Sequence, residues 1–108
     1  MLGDEESLAE LLELALQGLE RDIPAIAQHL AQDDAKAANQ LLHAIKGFAP
    51  IFCSAELVQQ ITVVEALSKT ASAAEVTPLY AQLAPGLSQL RDEIGVHLDG
   101  IRKSGSAP

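Results

Sequence analysis

Apolar residues recur at steps of three and four through four stretches of this 108-residue chain, and no stretch alternates apolar and polar with period two. That periodicity confines the fold to helices that each hide one side. Leu8, Leu12, Ala15, Leu19, Ile23, Ile26 and Leu30 form the first stripe, with Glu10, Glu13, Glu20, Arg21 and Gln28 opposite and Ser7 as N-cap. Pro24 is expected to kink this helix or divide it near residues 21–23, because it lacks an N–H and its ring meets the carbonyl four residues back.

Asp33 and Asp34 offer an N-cap for a second helix over 35–52, with Ala38, Leu41, Ile45, Ala49 and Phe52 at helical spacing. A third helix over about 55–69 carries Leu57, Ile61 and Val64, widened by Val58 and Leu67, and residues 68–74 form the turn. The fourth begins at Ser72, three residues before Glu75 as in a capping box, or at Thr77 with Pro78 as its first helical residue. The favoured reading starts it at Pro78, runs its stripe from Leu79 to Ile101, and has Pro85 bend it. Four one-sided helices on short connections bury their stripes only against one another. The expected fold is all-α, an up-down antiparallel four-helix bundle over residues 5–102, with a leader at 1–4 and a disordered tail at 103–108.

Charge narrows the partners. Seven Lys and Arg against fifteen Asp and Glu leave a formal charge of −8, which disfavours nucleic acid and anionic membrane surfaces. The lone Cys53 closes no internal disulfide, and no apolar run reaches the roughly 20 residues that cross a bilayer. The expected location is the cytoplasm, with any tether to the inner membrane lying in a parent protein. His29 and His97 fall on different helices without a ligand partner at i+4, so no metal site is expected.

The second helix is the informative one. At 100° per residue, Lys36, Asn39, Gln40, Lys46, Gly47 and Pro50 lie within about 60° of His43, and Ala38, Leu41, Ile45, Phe48 and Phe52 lie about 140–180° away. His43 is thus expected at the centre of a polar, locally cationic solvent face. Gly47 costs a helix roughly 0.5–1 kcal/mol relative to Ala, and at i+4 it clears the space beside the imidazole. Lys46 at i+3 reaches toward any anion attached to the ring, a phosphoryl group above all.

His43-Ala44-Ile45-Lys46-Gly47 followed by Ala49 resembles the H-x-[LI]-K-G-x-A signature of histidine-containing phosphotransfer (HPt) domains, carriers in bacterial multistep phosphorelays. The resemblance spans about Leu8 to Ile101. It includes the acidic first helix, the Asp-Asp turn about ten residues before the histidine, and a following helix with Leu57 and Glu65 at family-like positions. Cys53, Phe48 and Pro50 depart from the family pattern.

The resemblance implies that His43 takes a phosphoryl group from an aspartyl phosphate on a receiver domain and passes it to another response regulator. Nε2 is the nucleophile by family precedent, and Lys46, Gly47, Lys36, Asn39, Gln40 and Pro50 surround it as phosphoryl or partner contacts. An exposed imidazole is mostly neutral at pH 7 and needs no auxiliary base. The receiver supplies Mg²⁺, so no cofactor of this chain's own is expected, and the domain is a phosphocarrier without autonomous catalysis. The expected setting is the C-terminal domain of a hybrid sensor histidine kinase, monomeric when isolated. The alternative is a helical adaptor or dimerisation bundle that binds a signalling partner without phosphorylation.

Overall fold

A computed structural model describes residues 2–106, with side chains from Glu6 to Lys103. Four helices follow one another: α1 (Leu2–Ala31), α2 (Ala35–Phe52), α3 (Ala55–Ser68) and α4 (Ala73–Ser106). They form the expected four-helix bundle, 54 Å long. At 1.5 Å per residue, the 34 residues of α4 make a rod of about 51 Å, so this helix sets the length of the molecule. The helices also extend into both expected ends. α1 starts inside the leader and α4 continues into the tail, while Met1 and residues 107–108 lie outside the described residues.

Each boundary has a local cause. α1 ends where Asp33 takes a left-handed φ of 61°, with Asp34 N–H donating to the His29 carbonyl at 2.8 Å and Asp33 N–H to that of Leu30 at 3.1 Å. These two bonds satisfy carbonyls that the last turn leaves open. The Asp34 side chain then accepts from Ala37 N–H and starts α2. Ser54 does the same for α3 by accepting from Leu57 N–H.

The expected division at Pro24 and the favoured start at Pro78 both fail. α1 is not divided at Pro24; it runs unbroken from Leu2 to Ala31. Pro24 and Glu20 are both exposed, so the bond that Pro24 cannot donate to the Glu20 carbonyl is lost at the surface of the bundle and not in its core. α4 starts at Ala73 and not at Pro78. Ser72 Oγ accepts from Glu75 N–H at 3.3 Å and donates to the Glu75 carboxylate at 3.2 Å, so the helix starts with Ser72 as its cap, with only the Ser72 side-chain half of a capping box formed. The extra turn buries Ala73 and Val76, which offsets the bond that Pro78 forfeits.

The core is one cluster from Leu12 through Leu19, Ile26, Leu42, Ile45, Ile61 and Leu87 to Leu98. Tyr80 enters it from α4, its hydroxyl donating to the Ile23 carbonyl at 2.8 Å. Burial, with the charge of the buried Asp22, pushes this phenol up to about 12 and keeps it protonated as a donor. Leu8 belongs to the α1 stripe yet is 41% exposed. α2 has 18 residues and α3 has 14, so the α2–α3 hairpin is too short to cover the start of α1.

Pro78 sits six residues into α4, where it removes a bond to the Ala74 carbonyl. Pro78→Ala should therefore raise thermal stability, by about 1–2 kcal/mol after the gain in unfolded-state freedom is deducted. A helix starting at Pro78 predicts the reverse, and thermal unfolding of the variant reads the sign.

Candidate functional site

The buried stripe of α2 consists of Ala38, Leu42, Ile45 and Ala49, whereas Leu41, Phe48 and Phe52 are only half-buried. The stripe is thus turned about 50° from the expected one. His43 is correspondingly displaced from the centre of the solvent face to its shoulder beside α3. Its side chain is 72% exposed, yet Nδ1 lies 3.3 Å from Oε1 of Glu65.

Glu65 is the hub of the site. Its side chain is 1% exposed, and it stands on α3 four residues after the buried Ile61, in the middle of the apolar stripe. Three basic side chains surround it. His43 Nδ1 and Lys69 Nζ, the latter at 3.4 Å, approach Oε1, and Lys46 Nζ approaches Oε2 at 3.5 Å. Oε2 makes no hydrogen bond, so the Lys46 ammonium is its compensation. Burial pushes the Glu65 carboxyl up. The His43 hydrogen bond, Lys69 and Lys46 together outweigh burial and hold its pKa below the ordinary carboxylate value.

An ionised carboxylate has lone pairs and no proton to give. The Glu65–His43 contact therefore places the ring proton on Nδ1 and the lone pair on Nε2. The outward nitrogen of an exposed imidazole is left free to attack.

The residues expected around His43 divide into two groups. Asn39 and Lys46 turn inward to α3. Asn39 Nδ2 donates to the Glu65 carbonyl and to Ser68 Oγ, each at 2.9 Å, and lies 3.5 Å from Glu65 Oε1. The buried Ser68 hydroxyl in turn donates to that same carbonyl at 2.6 Å. Asn39 thus spends its amide joining α2 to the last turn of α3. Lys36, Gln40, Gly47 and Pro50 are exposed. A Cβ built at Gly47 would meet nothing within 4 Å, so no packing inside this chain calls for a glycine there.

Glu65 stands at a family-like position in the sequence, but its part in the site is not legible there, nor are those of Lys69 and Ser68. A signal existed. A glutamate seven residues after Val58 and four after Ile61 falls on the apolar side, where a lone charge is costly, and Lys69 at i+4 is its natural partner. His29 and His97 are not at this site. Cys53, half-buried, donates its S–H to the Ala49 carbonyl at 3.0 Å, and burial pushes the thiol up, away from reactivity.

The helical bundle thus presents an exposed imidazole that is held by a carboxylate and followed by Lys and Gly. The family model of the Hpt domain matches residues 10–95, and the chain belongs to that family. No match was found among curated proteins or among solved structures. Hpt domains are phosphocarriers of two-component phosphorelays, generally without catalysis of their own, and they interact with receiver domains of response regulators. No helix among the described residues is long and apolar enough to cross a membrane.

Two measurements follow from this geometry. Glu65 has a folded pKa below its unfolded value, so its ionisation stabilises the fold above the ordinary value of 4.5 and that contribution is lost as pH falls toward the lower, folded value. Stability of the native protein relative to Glu65→Gln should drop across that acid window in paired thermal melts. At Gly47 the open space predicts that Gly47→Ala raises stability by up to about 1 kcal/mol, while Gly47→Gln keeps the fold and blocks receiver docking. Melting temperature and transfer rate should move apart.

Proposed function

We propose that His43 Nε2 accepts a phosphoryl group from the aspartyl phosphate of one receiver domain and delivers it to the aspartate of another. The observation that carries this reading is the contact between Nδ1 and the buried Glu65 carboxylate. In the transfer the N–P bond forms at Nε2, the aspartyl O–P bond breaks, and the leaving carboxylate keeps the electron pair. The ring retains its Nδ1 proton and becomes positive as the bond forms. Glu65 faces that charge at a fixed position and needs no reorganisation to stabilise it.

Transfer of this kind depends on in-line positioning and charge neutralisation more than on proton movement. The receiver brings its aspartate and Mg²⁺; this chain brings the oriented imidazole and an unobstructed approach past Gly47. Exposed Lys36, Gln40 and Pro50 supply the rim that a receiver meets. The two receivers belong to response regulators or to a parent hybrid kinase.

Incubation with a phosphorylated receiver tests the reading. The native chain, His29→Gln and His97→Gln should acquire an acid-labile, base-stable phosphate, and His43→Gln should acquire none while its melting temperature changes little, because the side chain is mostly exposed. Labelling of His43→Gln would overturn the assignment.

A further inference from the structure

Resting on the phosphocarrier reading, we propose that Asn39, on α2, is a positioning residue for transfer: its side-chain amide fixes the backbone of Glu65 and so sets the distance at which the Glu65 carboxylate holds the His43 ring. Glu65 is the fourth residue from the end of α3, and its carbonyl is one of the four that a helix end leaves open. The amides that follow the helix serve other acceptors. Lys69 N–H donates to the Ala66 carbonyl at 3.2 Å, and Thr70 and Ala71 N–H donate to that of Leu67 at 3.1 and 2.8 Å. Asn39 and Ser68 take the place of the missing backbone donor.

The proton count fixes which group donates to which. A carbonyl only accepts, so the Asn39 atom that faces Glu65 is the amide nitrogen, with two protons to give. Ser68 has one hydroxyl proton, which goes to the Glu65 carbonyl at 2.6 Å, so Ser68 Oγ is an acceptor toward Asn39. Asn39 Nδ2 thus donates one proton to the carbonyl and one to Ser68 Oγ, each at 2.9 Å, with Glu65 Oε1 a distant third acceptor at 3.5 Å. The three groups close a ring of hydrogen bonds across two helices. Both amide protons are used inside the bundle, and Asn39 acts on the reaction through Glu65.

Asn39 and His43 stand one turn apart on α2, and Glu65 spans the two, its carbonyl beneath Asn39 and its carboxylate beneath His43. Little slack exists. The His43 contact is 3.3 Å long, already past the usual N–H···O range, so a drift of about 0.3 Å takes it out of hydrogen-bonding reach. A ring released from Glu65 is free to carry its proton on Nε2, and that tautomer has no lone pair there to attack phosphorus. Lys46 and Lys69 meet the same carboxylate on flexible stems that follow it where it moves. Asn39 instead holds Glu65 by its backbone.

The test uses the full chain with phosphoramidate as phosphoryl donor, so that no receiver contributes contacts; ammonia leaves as the N–P bond forms at Nε2. The ¹⁵N shifts of the neutral His43 ring and the labelling rate are measured well below each variant's melting temperature. Asn39→Leu and Asn39→Ala should move the ring proton toward Nε2 and slow labelling by about fivefold, the equilibrium weight of one ordinary hydrogen bond. Ser68→Ala should give a smaller change of the same sign, because the amide keeps its bond to the Glu65 carbonyl. Glu65→Leu retains that carbonyl and removes the carboxylate, so adding Asn39→Leu to it should change neither the ring shifts nor the rate further. A merely structural Asn39 predicts a lower melting temperature with native ring shifts and native rate in the folded protein. That result in both Asn39 variants, or equal slowing by Asn39→Leu with and without the carboxylate, overturns the proposal and leaves the carrier reading intact. A native chain that takes no phosphoryl group at His43 overturns both.

Discussion

A carboxylate with no exposed surface is tolerated in an apolar stripe only when charges of the opposite sign reach it, and at Glu65 those charges come from two helices. This requirement ties α2 to α3 more specifically than their apolar contacts do. His43, Lys46 and Asn39 on one helix, and Ser68 and Lys69 on the other, are all placed by contact with a single residue. The orientation of the imidazole, the tautomer it adopts and the positive charge beside it therefore share one cause. Apolar packing alone would hold the two helices together without specifying which ring nitrogen faces out.

The helices and the exposed histidine were readable from the residue order because both rest on local patterns, a 3.6-residue stripe and a short motif. The rotation of α2 was not. Leu41 and Leu42 are adjacent leucines, and periodicity does not choose between them; burial selects Leu42, and the contents of the whole face shift by half a residue's turn. The start of α4 offered two valid signals, a capping box at Ser72 and a proline at Pro78, and the choice depended on burial of Ala73 and Val76 against distant helices. Glu65 was legible as part of a family pattern, but its function as hub required knowing that α3 lays its stripe beside His43. Pro24 shows the opposite bias. The residue-level rule treats every internal proline as a break, and an exposed one loses its bond at the surface of the bundle.

The chain as a whole is strongly acidic, yet the surface around the imidazole is locally positive because Lys36, Lys46 and Lys69 meet there. A partner with an acidic pocket is repelled by most of this molecule and attracted at one shoulder of it. Such a contrast orients an encounter before contact is made, and salt weakens it. Recognition by charge and stability of the bundle thereby meet at Glu65, since Lys46 and Lys69 both contribute to the surface field and compensate the buried carboxylate.

The difference in helix length has a separate consequence. α1 and α4, with 30 and 34 residues, outlast the α2–α3 hairpin, so beyond its end two helices protect each other where four do so elsewhere. Leu8 and Leu11 are exposed along that stretch. A segment with fewer buried contacts opens at lower free energy than the rest of a domain. Backbone amides at the start of α1 and the end of α4 are accordingly expected to exchange with solvent through openings that leave the four-helix portion closed. The molecule thus carries a soft end and a firm end, and the His43–Glu65 contact lies on the firm one.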